Sequence, residues 1–185
     1  MQKITRKNFI KTSAGLMGAA FLPLPSDFAK PKPLLSFSTL GCPDWTYNTI
    51  INFAAANGYA GVEIRCLQRV LDLTGCKEFN THQNIQASLQ IAKNKGIEII
   101  ALGSSVNMHH QPGEERKKNF DEAKKFIDLA KKLECSYVRV FPNSLPTEIN
   151  RDVSIGLIAE GLNELGNYAK GSNVHVLMET HGDVV

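Results

Sequence analysis

The chain has 185 residues and an ordinary apolar fraction of 43%, enough for one domain with a buried core. The net charge is +3. Lys3, Arg6, Lys7 and Lys11 against Asp27 account for all of it within the first 29 residues, so residues 30–185 balance at zero. A neutral body excludes a broad nucleic-acid-binding surface, and the basic excess belongs to the leader.

Residues 1–29 read as an export signal. A basic segment precedes an apolar run from Ala14 to Leu24, shorter than the about 20 apolar residues a membrane span needs. Pro23, Pro25, Pro31 and Pro33 separate that run from the body of the chain, because proline interrupts a helix. The segment Thr5-Arg6-Lys7-Asn8-Phe9-Ile10-Lys11 resembles a twin-arginine signal with Lys7 in place of the second arginine. The expectation is a periplasmic or exported protein that engages the export machinery. Sec export and anchoring by an uncleaved leader stay open. Ala29 is the candidate last leader residue, although Asp27 stands where a small residue is usual.

From residue 34 short apolar runs alternate with helical patterns. Strands are predicted at 34–39, 61–65, 97–102, 136–141 and 174–179. Helices are predicted at 46–57, 81–95, 114–134 and 151–170, with Gly58, Gly96 and Gly171 as stops of the first, second and fourth. The third helix is the clearest: Phe120, Ala123, Ile127, Ala130 and Leu133 share one face, and Lys, Asp and Glu fill the other. Strict alternation of strand and helix implies a parallel sheet with right-handed crossovers. Two architectures fit. An open doubly wound sheet would be complete with five strands, and pattern alone favours it. A (β/α)8 barrel of about 250 residues would have only its first five strands here. The turn after the first strand lacks GxGxxG and no GxxxxGK[ST] occurs, which argues against dinucleotide and P-loop chemistry. Cys42, Cys66, Cys76 and Cys135 have no metal-site spacing and read as buried thiols. Cys66 and Cys76 are the one close pair that could form a disulfide after export.

In either parallel architecture the chemistry gathers at the carboxyl ends of the strands. Those ends carry Cys42, Asp44 and Trp45; then Glu63 and Arg65; then Ser104, Ser105, Asn107, His109 and His110 in a third loop. Arg139 and Asn143 follow the fourth strand, and Glu179, His181 and Asp183 the fifth. Each has a plainer reading: an ion pair for Glu63 and Arg139, a solvated loop pair for the two histidines, a cap on the first helix for Trp45, packing for Cys42. Glu179 and His181 lie two apart, on one side of a continuing strand. A carboxylate and an imidazole in one mouth suit a divalent metal or proton transfer.

Several segments, in order on successive strands, resemble the sugar phosphate isomerase/epimerase family of xylose-isomerase-like TIM barrels. They are Leu40-Gly41-Cys42-Pro43-Asp44-Trp45, Gly58-Tyr59-Ala60-Gly61-Val62-Glu63-Ile64-Arg65, Ser104-Ser105-Val106, Tyr137-Val138-Arg139-Val140-Phe141 and Leu177-Met178-Glu179-Thr180-His181-Gly182-Asp183. The resemblance implies a (β/α)8 barrel, here truncated after about five strands, spanning 30–185. It implies a divalent metal (Mn2+, Mg2+, Co2+ or Zn2+) at the mouth. Glu179 matches the metal-ligating glutamate of the fifth strand and is the catalytic candidate. The implied function is sugar or sugar phosphate isomerisation or epimerisation by proton transfer next to a carbonyl. Trp45, Glu63, His109, Arg139 and His181 would bind a small sugar or polyol substrate. Further metal ligands would come from strands six to eight, so this stretch reads as an incomplete enzyme. A dehydratase of the inosose type, or a sugar-binding module without turnover, would use the same mouth. An apurinic endonuclease needs a basic groove that the neutral body lacks. A homo-oligomer is compatible with this reading.

Overall fold

The computed structural model describes residues 33–180, together with Lys7. The export segment read at 1–29 otherwise lies outside the described residues, as do His181 and Asp183. No helix among the described residues is long and apolar enough to cross a membrane.

Strands β1 (Ser36–Ser38), β2 (Gly61–Ile64), β3 (Glu98–Asn107), β4 (Tyr137–Phe141) and β5 (His175–Met178) alternate with helices α1 (Tyr47–Ala56), α2 (His82–Asn94), α3 (Glu114–Lys132) and α4 (Arg151–Ala169). The helices begin and end where local chemistry directs. Thr46, Thr81 and Asn150 accept from backbone N–H groups of α1, α2 and α4 at 3.2, 3.1 and 2.8 Å, satisfying donors that the first turn leaves open. Gly58 and Gly96 take positive φ values of 73° and 67° just past α1 and α2, a conformation that glycine adopts without strain.

All strand pairs are parallel, and the sheet order is β1-β2-β3-β4-β5. This order decides between the two architectures. A doubly wound sheet reverses its winding, so its first strands lie in the interior of the strand order. A barrel adds each strand beside the last. The open-sheet alternative that the pattern favoured is therefore overturned: the alternation of elements is common to both folds, and only the pairing order separates them.

One face of the sheet is apolar. Val62, Ile64, Ile99, Leu102, Val138 and Val140 are buried with Ile50, Ile51, Ala54, Ile85, Phe126 and Ile127 of the helices in one core. The other face carries Glu63, Ser105 and Arg139. The two sets follow from the alternation of side chains along each strand. Strand β3 is longer than its apolar run suggested. Its register shifts against β2 near Ile100 and against β4 between Gly103 and Asn107, so the strand passes through bulges. Ser104, Ser105 and Asn107, expected in a loop, belong to the strand. Ser104 is fully buried and donates to the Arg139 carbonyl at 2.7 Å, which lets a polar residue continue the sheet.

Candidate active site

The site is built at the carboxyl ends of β2, β4 and β5. Thr39, fully buried after β1, clasps the end of β2. Its Oγ1 accepts from the backbone N–H of Arg65 at 2.9 Å and of Cys66 at 3.1 Å, and donates to the Cys66 carbonyl at 2.8 Å. This clasp holds the backbone that presents Glu63 and Arg65.

Arg139 joins three strands. Its Nε donates to Glu63 Oε1 at 3.3 Å and lies 3.1 Å from Glu179 Oε2. Its guanidinium also stacks on Phe141, 4.3 Å from the ring centroid, a cation–π contact that fixes the plane of the group. The exposure of the side chains rises outward, from 14% for Arg139 through 27% for Glu63 to 43% for Glu179. Burial of a charge is costly unless it is paired, and the two carboxylates supply that pairing. The ion pair expected between Glu63 and Arg139 is therefore real, and Glu179 extends it into a chain of three charges. The backbone N–H of Glu179 donates to the Val140 carbonyl at 3.0 Å, so β5 pairing places this carboxylate at the mouth.

Arg65 lies beneath. It is 9% exposed, and its Nη2 donates to the Ser105 hydroxyl at 3.0 Å. Burial, then the nearby Arg139 cation, hold its guanidinium below the usual arginine range. Gly103 makes the crowding feasible. A Cβ built there would meet Arg139 Nη2 at 2.7 Å, Arg65 Cδ at 2.7 Å and Glu63 Oε1 at 2.8 Å.

The other sequence candidates sit elsewhere on the same end. Trp45 packs edge-on against Phe53 of α1, ring centroids 5.0 Å apart, while Thr46 supplies the helix cap. Asp44 is held by Arg69 in an exposed ion pair, worth little by itself. The rings of His109 and His110 lie with centroids 4.2 Å apart, tilted by 36°, and His109 Nδ1 is buried without a hydrogen-bond partner. Burial and the neighbouring His110 lower the His109 pKa, favouring the neutral ring. Cys66, Cys76 and Cys135 are buried, and all four cysteines are free thiols, so the close Cys66–Cys76 pair is not bridged.

Two contributors were missed in the sequence. Gly103 begins a run of small residues inside a strand pattern, a signal of close approach. Arg116 sits in the first turn of α3, where a cation opposes the helix dipole. It is there because its guanidinium donates to the carbonyls of Met108, His110 and Leu157 at 3.2, 2.9 and 2.9 Å, tying the histidine loop to α4. A groove on the helical side, lined by Asp72, Glu114, Lys117, Lys118, Asp121 and Lys125 among others, has the mixed charges of a solvated helix face.

As for a metal, Glu179 presents an anionic oxygen of the kind a divalent cation takes. Among the described residues, however, no three of His, Cys, Asp and Glu come together as a metal site.

The sequence model of the xylose isomerase-like TIM barrel family matches residues 51–184. The chain belongs to this family. Solved structures agree on the fold. A probable 3-DHS dehydratase, AsbF, involved in petrobactin synthesis in Bacillus anthracis, is 16% identical with a TM-score of 0.63, over 81% of this chain and 53% of its own. A D-psicose 3-epimerase from Clostridium cellulolyticum H10, solved with D-tagatose, is 16% identical with a TM-score of 0.62, over 80% and 53%. The IOLI protein, solved with a zinc atom, is 16% identical with a TM-score of 0.66, over 79% and 51%. The chain thus spans about half the length of these structures. No curated protein matches the sequence.

Proposed function

We propose that the protein is a metal-dependent isomerase or epimerase of a sugar or sugar phosphate, in which Glu179 is a metal ligand and the base. The observation that carries this reading is the Glu63–Arg139–Glu179 chain at the carboxyl ends of three strands. A structural barrel has no need of three charges there, and family membership supports a sugar-modifying enzyme. The resemblance supports Mn2+, Mg2+, Co2+ or Zn2+, and the zinc in the IOLI structure supports a divalent cation in the family. When bound, such a cation polarises the carbonyl and stabilises negative charge beside it. By the same resemblance, the remaining ligands would come from strands six to eight.

The roles of this chain's own groups follow from their placement. Glu179, the most exposed of the three, reaches a substrate first and removes the proton next to the carbonyl. Arg139 holds that carboxylate in place and, with Glu63, contacts substrate hydroxyls. Neutral His109 can donate or accept a hydrogen bond there, as can His181 beyond the described residues, and Trp45 offers a ring face beside the first loop.

The test is turnover of ketoses, aldoses and their phosphates by metal-loaded protein, with metal content measured in parallel. Interconversion of epimers or of aldose and ketose supports the proposal. Loss of water from a polyol ketone would instead make it a dehydratase, a reading favoured by the AsbF likeness. Binding without turnover would make it a sugar-binding module. The basic leader supports export, by the twin-arginine or Sec route. A tagged protein found wholly in the cytoplasm with residues 1–29 intact would remove that assignment.

A further inference from the structure

We propose that Arg65 and Arg139 form the seat of an anionic group on the substrate, a carboxylate or a phosphate, so that the reaction takes an acidic sugar or polyol and not a neutral one. This rests on the sugar-site reading of the strand ends.

Arg65 is a buried cation with no carboxylate in contact, Glu63 and Glu122 acting on it only at longer range. Its hydrogen-bond partner is the neutral Ser105 hydroxyl, and no carboxylate among the described residues forms an ion pair with it. Its Nη1 is buried and unpartnered, and so is Nη1 of Arg139. A buried donor left open is costly, and more so when charged, so two on adjacent guanidiniums are not a packing solution. They are brought together by the missing side chain at Gly103, the point from which Arg139 Nη2 and Arg65 Cδ are each 2.7 Å away. An alanine there would force them apart.

Carboxylates already show that the surroundings accept an anion: Glu63 and Glu179 both contact Arg139 through Nε, leaving the Nη1 donors unused. Glu179 is the outermost and most exposed member. A planar fork of guanidinium donors fits carboxylate and phosphate oxygens in pairs, and two such forks fix the anion's orientation. Held at the floor, the anion would set which carbon of the sugar lies against Glu179. A neutral sugar would leave both Nη1 donors open.

The probes are inorganic phosphate and gluconate, titrated calorimetrically into the protein, into Arg65→Gln, and into Arg69→Gln as a control on an exposed arginine. At least one probe should bind the wild type and Arg69→Gln and raise their Tm. Arg65→Gln should bind at least tenfold more weakly, yet without probe should be as stable as the wild type, because a buried charge with no contacting carboxylate is gone. Tighter binding of phosphate identifies a sugar phosphate, and of gluconate a sugar acid. Absence of binding by either probe, or equal binding by Arg65→Gln, overturns the seat. Marked loss of stability in Arg65→Gln with or without anion also overturns it, since the protein's own carboxylate would then be the partner. Should that variant fail to fold, Arg65→Lys keeps the charge and loses the fork: tenfold weaker binding supports the seat, and unchanged affinity refutes it. Anion binding without turnover of any sugar would refute the isomerase reading alone. Turnover of neutral sugars without anion binding would refute the seat alone.

Discussion

Arg139 Nε lies 3.1 Å from Glu179 Oε2, so the charge at the end of β5 is held by a side chain from β4. The contact sits at the exposed end of an ion chain, and Glu179 can exchange it for another cation at small cost. Glu179→Gln should therefore abolish divalent-metal retention and turnover. It should leave stability nearly unchanged, within about 1 kcal/mol, since exposed ion pairs contribute little. Metal analysis, activity and thermal melting check this. Retained metal and turnover would remove Glu179 from the metal site, and unfolding would make it a structural residue.

Arg139 should matter more to stability than either carboxylate. Replacing it with Met leaves Glu63 and Glu179 facing each other without a cation, and a loss of about 1–3 kcal/mol is expected. Glu63→Gln should cost less, because Glu179 still pairs with Arg139. Urea unfolding of both single variants and the double variant gives the coupling. Strict additivity would mean that the pair contributes nothing.

His109 should make stability depend on pH in the acid range. Its folded pKa is below the ordinary imidazole value of 6.5, chiefly through burial. Below 6.5 the unfolded chain binds the proton first, so stability is lost as pH falls toward the folded pKa and is fully present above 6.5. His109→Gln should flatten that part of the profile. A wild-type slope surviving in the variant would assign the effect to other groups.

The thiols should be free and mostly unreactive. Burial pushes the Cys76 thiol up to about 11 and the Cys135 thiol up to about 12, so little thiolate exists at neutral pH. Ellman's reagent should find four thiols after denaturation, and Cys76 and Cys135 should resist labelling in the native protein. A count of two would establish a disulfide.

The 185-residue chain expressed by itself should be prone to aggregation. Among the described residues β1 and β5 are the edge strands of the sheet, each paired on one side. Tyr137 and Leu177 are 37% and 44% exposed on the sheet face that a barrel encloses. Unpaired edges and uncovered apolar groups recruit other chains. Light scattering on heating tests it, and a reversible, cooperative transition of a monomer would contradict it.

Element type was legible throughout because period and punctuation are local. Thr46, Thr81, Gly58, Gly96 and Gly171 mark helix ends in the sequence and occupy those ends in the fold. The length of β3 was not legible, because Gly103-Ser104-Ser105 has loop-like composition and stays in the sheet only through bulges and the Ser104 bond to the Arg139 carbonyl.

By itself the sequence determined the succession of elements, the neutral body and the strand ends where Glu63, Arg139 and Glu179 would meet solvent, since each depends on neighbours within a few residues. Tertiary structure alone decided that the strands add in order 1 to 5, and that Arg139 serves two carboxylates while the buried guanidinium of Arg65 contacts none. Those outcomes depend on which strands pair and on how close Gly103 lets their side chains come, and contacts between residues 76 apart leave no trace in local periodicity.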